Sequence, residues 1–140
     1  MGGLSALIYT LYAEKTPDAC AANCPVCDLP YHFTERADLP RTLLCAYMAD
    51  EDTLEEALVR HSPLDQVRNM PDIPYFLVHG DADLSVNKEK HSDRFVKAMR
   101  EEGRKITYAE IPGMRHCDFA SHPEAETVYV DFLISMAQRQ

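Results

Sequence analysis

Two short segments of the sequence carry carboxylates and histidines directly after runs of apolar residues. Asp81 and Asp83 follow the apolar run 74–78, and His116 follows the run 106–111. An imidazole that donates a hydrogen bond to a carboxylate through one nitrogen keeps its other nitrogen free to accept a proton. A carboxylate of the first segment and His116 of the second could therefore form two members of a catalytic triad.

These groups meet only if the two apolar runs are neighbouring strands of one sheet. The runs 74–78 and 106–111 end near glycine or proline and contain β-branched or aromatic residues, which is typical of strands. A third apolar run over 19–26 predicts another strand, buried on both faces. Catalytic groups collect at the carboxyl ends of parallel strands, so we expect the carboxylates of Asp81 and Asp83 to lie at the same edge of the sheet as His116.

Helices separate the predicted strands along the chain. Apolar residues recur with the helical period over 4–12, ahead of Pro17, and a second helical pattern ends at Gly103. The last helix has the clearest period, and its expected inner face consists of Ala125, Val128, Tyr129, Phe132, Leu133 and Met136. Alternating helices and parallel strands indicate an α/β fold, and we predict three layers, with a parallel sheet of about three strands and flanking helices.

The middle of the chain gives weaker signals. The segment 29–47 contains prolines and aromatic residues without a clear period, so we expect it to be irregular, with room for one short helix. Thr53 and Ser121 each precede a glutamate by three residues, which is the spacing of a capping box at the start of a helix. The range 29–60 could form a cap or insert within one domain that spans residues 1–140.

Length and charge narrow the classes of function. The chain has 140 residues, and 14 basic and 23 acidic side chains give it a net charge of -9. This charge repels phosphate backbones and anionic membranes, so we expect neither nucleic-acid nor membrane binding. No apolar run reaches the ~20 residues of a membrane helix, and the first residues lack the order of a signal peptide. These two observations predict a cytoplasmic location. Five cysteines are an odd number in a chain without a secretory signal, which predicts free thiols.

The two titratable segments resemble motifs of a known enzyme family. The phrase His79-Gly80-x-x-Asp83 follows one predicted strand, and Pro112-Gly113-x-x-His116 follows the next. With the helix and strand between them, they resemble the C-terminal half of an α/β-hydrolase, closest to the esterase and prolyl-oligopeptidase-like branch. The resemblance implies that Asp83 is the acid of a Ser-His-Asp triad and that His116 is its base.

Three residues near these motifs leave alternatives open. Asp81 is the other candidate for the acid, and is otherwise a loop carboxylate. His79 could brace the loop or could end the strand with a hydrogen bond to the backbone. Cys117 directly follows His116 and could be a reactive thiol, but its neighbours in the sequence do not indicate this, and we expect a buried spectator.

The resemblance places the nucleophile outside the sequence. In this family a serine in a Gly-x-Ser-x-Gly turn lies between a strand and a helix. Met1-Gly2-Gly3 resembles the x-Gly-Gly that directly follows that serine, which implies a truncated chain that is inactive or nearly so. Ser5 is the alternative nucleophile, but Leu7 stands where the turn needs glycine, and no strand precedes it.

A second arrangement of reactive side chains lies near the N-terminus. Cys20, Cys24 and Cys27 have the C-x3-C-x2-C spacing that holds a [4Fe-4S] cluster in radical S-adenosylmethionine enzymes. Val26 stands where that family usually has an aromatic residue. On a strand, Cys20 and Cys24 would face one side and Cys27 the other, which does not suit a cluster. We therefore expect small buried side chains here, and neither a metal nor an organic cofactor in the protein.

The resemblance implies a serine hydrolase that cleaves a small ester or a peptide through an acyl-enzyme, as a carboxylesterase or a prolyl-oligopeptidase-like peptidase does. The alternative is a non-catalytic remnant that associates through its open sheet edge, either as a homodimer or with an N-terminal half. In-frame coding sequence with a Gly-x-Ser run upstream of Met1 would favour the enzyme. A stop codon there would favour the remnant.

Overall fold

A computed structural model describes residues 2–139, in which helices and strands alternate along the chain. The strands are β1 (Cys20–Asn23), β2 (Tyr75–Gly80) and β3 (Ile106–Ile111). The helices are α1 (Gly2–Tyr12), α2 (Leu29–Glu35), α3 (Leu39–Tyr47), α4 (Leu54–Arg60), α5 (Arg94–Glu101) and α6 (Pro123–Ala137). A 3-10 turn (Val67–Asn69) precedes β2, and a π-helical turn (Glu89–Asp93) precedes α5.

The three strands form one parallel sheet in the order β1, β2, β3. β2 pairs Tyr75 with Cys20 of β1 and with Ile106 of β3, and it is buried along its whole length. Gly80 pairs with Ile111, so the carboxyl ends of β2 and β3 lie level with each other. The predicted α/β fold with a parallel sheet of three strands is confirmed.

Successive side chains of β2 point to opposite faces of the sheet, and all of them are buried. Helices therefore cover both faces. On one face, Leu77 belongs to a buried cluster with Leu7 of α1 and Phe95 of α5. On the other face, Phe76 belongs to a cluster with Ala125 of α6. Full burial of a large apolar side chain contributes about 1.5–3 kcal/mol to stability, so these layers hold the strand ends in place.

The segment 29–60 is more regular than its sequence pattern indicates. It contains α2, α3 and α4, whose leucines form a third buried cluster with residues of α1. The prediction of an irregular segment over 29–47 is therefore wrong. Pro30 and Pro40 lie in the first turn of α2 and α3, where a helix does not need their missing N–H groups. A separate role of 29–60 as a cap stays a prediction.

Neither of the two predicted capping boxes forms. Thr53 precedes α4, but its hydroxyl donates to Asp50 Oδ1 at 2.7 Å and makes no capping bond to the helix. α6 begins at Pro123, directly after His122, so Ser121 lies outside the helix. In both places a local bond or the fixed backbone of proline replaces the side-chain cap that the spacing predicts.

The buried side of α6 is narrower than its period predicts. Ala125 is buried, and Tyr129 and Phe132 pack partly buried against the sheet. Val128 and Leu133 are 39% and 43% exposed, so their predicted place on the inner face is wrong. The helix packs on the three strands, which leaves its flanks uncovered. Among residues 2–139, no helix has the length and apolar composition needed to cross a membrane.

Candidate active site

Asp83 lies in the turn that follows β2, and its side chain is fully buried. Its Oδ1 accepts hydrogen bonds from the backbone N–H groups of Ser85 and Val86, at 2.8 and 3.0 Å. These bonds wrap the turn around the carboxylate, as aspartate side chains commonly do in turns. One carboxylate oxygen is thereby fixed by backbone, and the other, Oδ2, is left for side chains.

His116 lies in the loop after β3, and its Nδ1 is 2.7 Å from Asp83 Oδ2. Burial alone would raise the pKa of Asp83, but hydrogen bonds from His79, His116 and two backbone N–H groups lower it below its ordinary value. A charged carboxylate only accepts, so Nδ1–H of His116 donates and Nε2 keeps its lone pair. The structure thus brings the two predicted residues together, while their catalytic role stays a prediction.

His79 holds the same carboxylate from the other side. This histidine is fully buried, with Nε2 3.0 Å from Asp83 Oδ2 and Nδ1 2.6 Å from Ser92 Oγ. Nε2–H therefore donates to the carboxylate, and Nδ1 accepts from the hydroxyl of Ser92. His79 Nε2 also lies 3.3 Å from the carbonyl oxygen of Val86, so both contacts that the sequence leaves open for His79, to the Asp83 loop and to backbone, are present in the structure.

Asp81 has a different partner. Its Oδ1 accepts a hydrogen bond from Gly113 N at 2.6 Å, which ties the turn after β2 to the loop that carries His116. Gly113 has a φ of 75°, a left-handed conformation that glycine adopts without strain. Asp81 therefore positions the loop rather than the imidazole, and the geometry favours Asp83 as the orienting carboxylate.

The loop that carries His116 crosses directly over Gly80. A Cβ at this position would lie 1.9 Å from the carbonyl oxygen of Met114. The same carbonyl accepts a hydrogen bond from Ala82 N at 3.2 Å, so the loop is held at this short distance. The glycine in the phrase His79-Gly80-x-x-Asp83 is thus required by a close approach of backbone to backbone.

The partly exposed side of His116 opens onto a cavity of about 260 Å³. Its walls come from the start of α1, the end of β1, the His116 loop and α6. They include Gly2, Gly3, Asn23, Cys24, Cys117 and Tyr129. Ser5 is exposed on α1 and is not one of the lining residues, so the structure does not bring it to His116. The alternative in which Ser5 is the nucleophile has no geometric support.

Gly3 allows α1 to approach the end of β1. A Cβ on Gly3 would lie 2.9 Å from the Cα of Pro25 and 3.0 Å from the carbonyl oxygen of Asn23. Such distances are shorter than van der Waals contact, so only glycine fits here without a shift of the backbone. The close packing places the first turn of α1 in the wall of the same cavity as His116.

Cys24 and Cys117 meet beside His116, where Cys117 N donates to Cys24 Sγ at 3.4 Å. Cys117 is exposed, so the expectation of a buried spectator is wrong; the loop carries it to the mouth of the cavity. The hydrogen bond from the Cys24 thiol lowers the pKa of Cys117 to about 7, although burial acts in the opposite direction. The same bond and burial raise the pKa of Cys24.

Cys20, Cys24 and Cys27 do not share one side of the sheet. Cys20 and Cys27 belong to the buried cluster under α1 and α5, whereas Cys24 belongs to the cluster under α6. The prediction that the side chains of Cys20 and Cys24 face the same side of the sheet is therefore wrong. Its reason is that β1 ends at Asn23, and Cys24, with a φ of 44°, turns the chain.

A second histidine cluster ties α2 to the segment after Asp83. Glu35 Oε2 lies 2.5 Å from His32 Nδ1 and 2.9 Å from His91 Nε2, and its Oε1 accepts from Asn87 N at 3.2 Å. Nδ1 of His91 accepts from the backbone N–H of Cys27 at 3.2 Å, so Nε2 carries the proton that Glu35 accepts. Burial lowers the pKa of His91, which keeps this imidazole neutral.

Comparison with known proteins identifies the fold. The sequence model that describes the prolyl oligopeptidase family matches residues 1–137 of this chain. The chain belongs to the prolyl oligopeptidase family. The family resemblance of the two histidine-containing motifs is thereby confirmed. A comparison with curated proteins found no match.

Solved structures of several peptidases share this fold. A puromycin-hydrolyzing peptidase of Mycobacterium tuberculosis is 22% identical with a TM-score of 0.68, over 82% of this chain and 17% of that one. An uncomplexed acylaminoacyl peptidase of Pyrococcus horikoshii is 14% identical with a TM-score of 0.72, over 93% and 21%. Dipeptidyl peptidase 4 of Porphyromonas gingivalis is 21% identical with a TM-score of 0.66, over 83% and 15%. The chain thus spans about a fifth or less of these proteins.

Proposed function

We propose that this chain supplies the acid and base half of a serine hydrolase site, in which His116 moves protons and Asp83 orients it. One observation carries the proposal. A buried, charged carboxylate lies 2.7 Å from Nδ1 of an imidazole that is 34% exposed at a cavity. This arrangement fixes the tautomer in which Nε2 can act as a general base.

In the proposed reaction, Nε2 of His116 takes the proton of a serine hydroxyl as its oxygen attacks the carbonyl carbon of the substrate. The resulting imidazolium then gives that proton to the leaving group, and an acyl-enzyme remains. Water repeats the cycle and releases the acid. Asp83 stays charged throughout, because its Oδ1 accepts from two backbone N–H groups and its Oδ2 from two histidines.

The serine would come from a segment ahead of Met1. Gly2 and Gly3 line this cavity with His116, and none of its lining residues among 2–139 is a serine. Ser85 lines a second cavity that also includes His116, but the backbone N–H of Ser85 holds the far oxygen of Asp83. On this proposal residues 1–140 do not turn over an ester by themselves. Because the similar solved structures are peptidases, we propose peptides as the natural substrate class, with activated esters as convenient probes.

The test compares residues 1–140 with the same chain extended by whatever in-frame coding sequence precedes Met1. The extended chain is expected to react with a fluorophosphonate probe and to hydrolyse a p-nitrophenyl ester, and residues 1–140 alone are not. His116→Ala should lower the turnover by about 10³-fold or more, because the base is lost. His61→Gln is the matched control, because His61 lies at the C-terminal end of α4 and does not line the cavity. Turnover by residues 1–140 that Ser5→Ala abolishes would contradict the proposal.

A second role, association through the edge of β1 that faces away from β2, rests on a separate observation. N–H groups of Cys20 and Cys24 donate to the β2 side, at 3.0 and 2.8 Å. Polar backbone groups alternate in direction along a strand, so the N–H and C=O of Ala21 point to the other edge. There the carbonyl accepts from the hydroxyl of Tyr129 at 3.2 Å. We propose that a second copy of the chain, or an N-terminal half, pairs with this edge.

Ala21→Pro tests the pairing, because it removes the outward N–H and leaves the bonds to β2 in place. Light scattering of the purified chain is expected to give a dimer or larger species, and Ala21→Pro should shift it towards the monomer. Ala21→Val keeps the N–H group and is the control. A wild-type chain that stays monomeric over the concentration range would count against the edge as an interface.

A further inference from the structure

Three side chains of the kind that bind zinc converge at the cavity beside α1. The Sγ atoms of Cys24 and Cys117 and a ring nitrogen of His116 all lie within 4.8 Å of one another. Zinc binds thiolate at about 2.3 Å and imidazole at about 2.0–2.1 Å, which places the ligand atoms of a tetrahedral site about 3.5–3.8 Å apart. The three groups therefore need to approach one another by only about 1 Å.

The environment of His116 suits a metal ligand. Histidines that bind zinc commonly donate from their other nitrogen to a carboxylate, which fixes the tautomer and raises the basicity of the ligating nitrogen. Asp83 does this here, since it accepts from Nδ1 at 2.7 Å. Nε2 is then the ring nitrogen with a free lone pair.

The cavity offers an entry path and a place for a fourth ligand. Its volume of about 260 Å³ exceeds the space of several water molecules. Asn23 lines it, and the Oδ1 of this residue is buried without a hydrogen-bond partner among residues 2–139. An unsatisfied buried acceptor is uncommon, and a water molecule held on a cation would donate to it.

We propose that Cys24, Cys117 and His116 form a binding site for Zn²⁺, with a water molecule as the fourth ligand. Binding replaces the two thiol protons, which pass to the solvent, and forms two metal–sulfur bonds and one metal–nitrogen bond. The cation then occupies the lone pair of Nε2 that the proposed function needs. Zinc binding and proton transfer at His116 therefore exclude each other, although the binding itself does not depend on the proposed function.

The cluster of His32, Glu35 and His91 also brings three potential ligands together. It is less suited to a cation, because Nδ1 of His91 already accepts from the backbone N–H of Cys27 and Nε2–H is bound to Glu35. A metal there would have to displace this buried hydrogen bond. His32→Asn therefore serves as a control that reports on binding at the other cluster.

The test titrates the purified 140-residue chain with Co²⁺, a spectroscopic substitute for zinc, in a phosphine reductant that is not a thiol. One equivalent is expected to give the absorption of tetrahedral cobalt with thiolate-to-cobalt charge transfer, and Zn²⁺ should displace it. Cys24→Ser and Cys117→Ser should each weaken Zn²⁺ binding at least tenfold, and circular dichroism should confirm that they fold. Cys45→Ser, which changes another exposed cysteine, should leave the affinity unchanged.

Alkylation provides a measurement on the unmutated chain. Zn²⁺ should slow the reaction of Cys117 with iodoacetamide at least tenfold and leave that of Cys45 unchanged, as followed by mass spectrometry of peptides. Cobalt absorption without charge transfer, equal protection of Cys45, or binding that survives Cys24→Ser and is lost in His32→Asn would overturn the proposal. Absence of hydrolysis in the extended chain, with the cobalt spectrum of the 140-residue chain retained, would instead count against the proposed function alone.

Discussion

Gly80→Ala is expected to lower the free energy of unfolding by about 3 kcal/mol or more, since overpacking of a fixed backbone has costs of this order. The added methyl would lie 1.9 Å from the carbonyl oxygen of Met114. A side-chain rotation cannot relieve the clash, because the backbone alone fixes the positions of the new Cβ and of the Met114 carbonyl oxygen. Relief requires the loop of His116 to move away from the end of β2, which also separates the imidazole from Asp83.

Urea unfolding followed by circular dichroism measures the effect, and thermal unfolding should show a fall in Tm of about 10 °C or more. Gly2→Ala is the matched control, because a Cβ on Gly2 meets no atom within 4 Å. That variant should stay within about 0.5 kcal/mol of the unmutated chain, as exposed substitutions usually do. Equal stability of Gly80→Ala and Gly2→Ala would show that the loop does not cross over β2 as described.

Asp83→Asn is expected to lower kcat of the extended chain by about 10⁴-fold, the size of effect that follows when a triad histidine takes the wrong tautomer. The backbone N–H groups of Ser85 and Val86 require an acceptor at Oδ1. The new amide group therefore points its NH2 at His116. Nδ1 must then accept instead of donate, the ring proton moves to Nε2, and the base is lost.

Asp81→Asn is the control for this substitution. An asparagine keeps a carbonyl oxygen that can accept from Gly113 N, so the loop should hold its position. We expect kcat of Asp81→Asn to stay within about tenfold of the unmutated enzyme. A larger loss in Asp81→Asn than in Asp83→Asn would mean that Asp81 orients the imidazole.

The acid dependence of stability follows from the same carboxylate. The pKa of Asp83 is lower in the folded chain than its ordinary value, so its contribution is present above that ordinary value of about 3.9. It is lost as the pH falls through the lower folded value. In Asp83→Asn this part of the acid dependence should be absent from urea unfolding measured between neutral and acidic pH.

The sheet, and the placement of a carboxylate of the turn after β2 beside His116, could be predicted because both depend on local patterns. Apolar runs that end at glycine or proline mark β2 and β3, and parallel pairing then places their carboxyl ends together. Asp81 and Asp83 could not be separated by spacing. Only the backbone bonds around each carboxylate distinguish them, and those depend on the fold of two loops.

The features that the sequence did not predict depend on contacts between distant residues. Cys24 and Cys117 are 93 positions apart, so no spacing motif connects them. Ser92 has no sequence signal for its bond to His79, since it lies on the π-helical turn before α5. Pro30 led to the wrong prediction of an irregular segment. A proline breaks a helix when it lies in the interior, but it is compatible with the first turn, where Pro30 lies in α2.

The central claim is that Asp83 holds His116 in the tautomer of a general base, and nitrogen NMR of the histidine rings measures this directly. In the unmutated chain, the neutral ring of His116 is predicted to carry its proton on Nδ1, which lies 2.7 Å from Asp83 Oδ2. Asp83→Asn should move it to Nε2, and Asp81→Asn should not. A proton on Nε2 of His116 in the unmutated chain, unaffected by Asp83→Asn, would contradict the account.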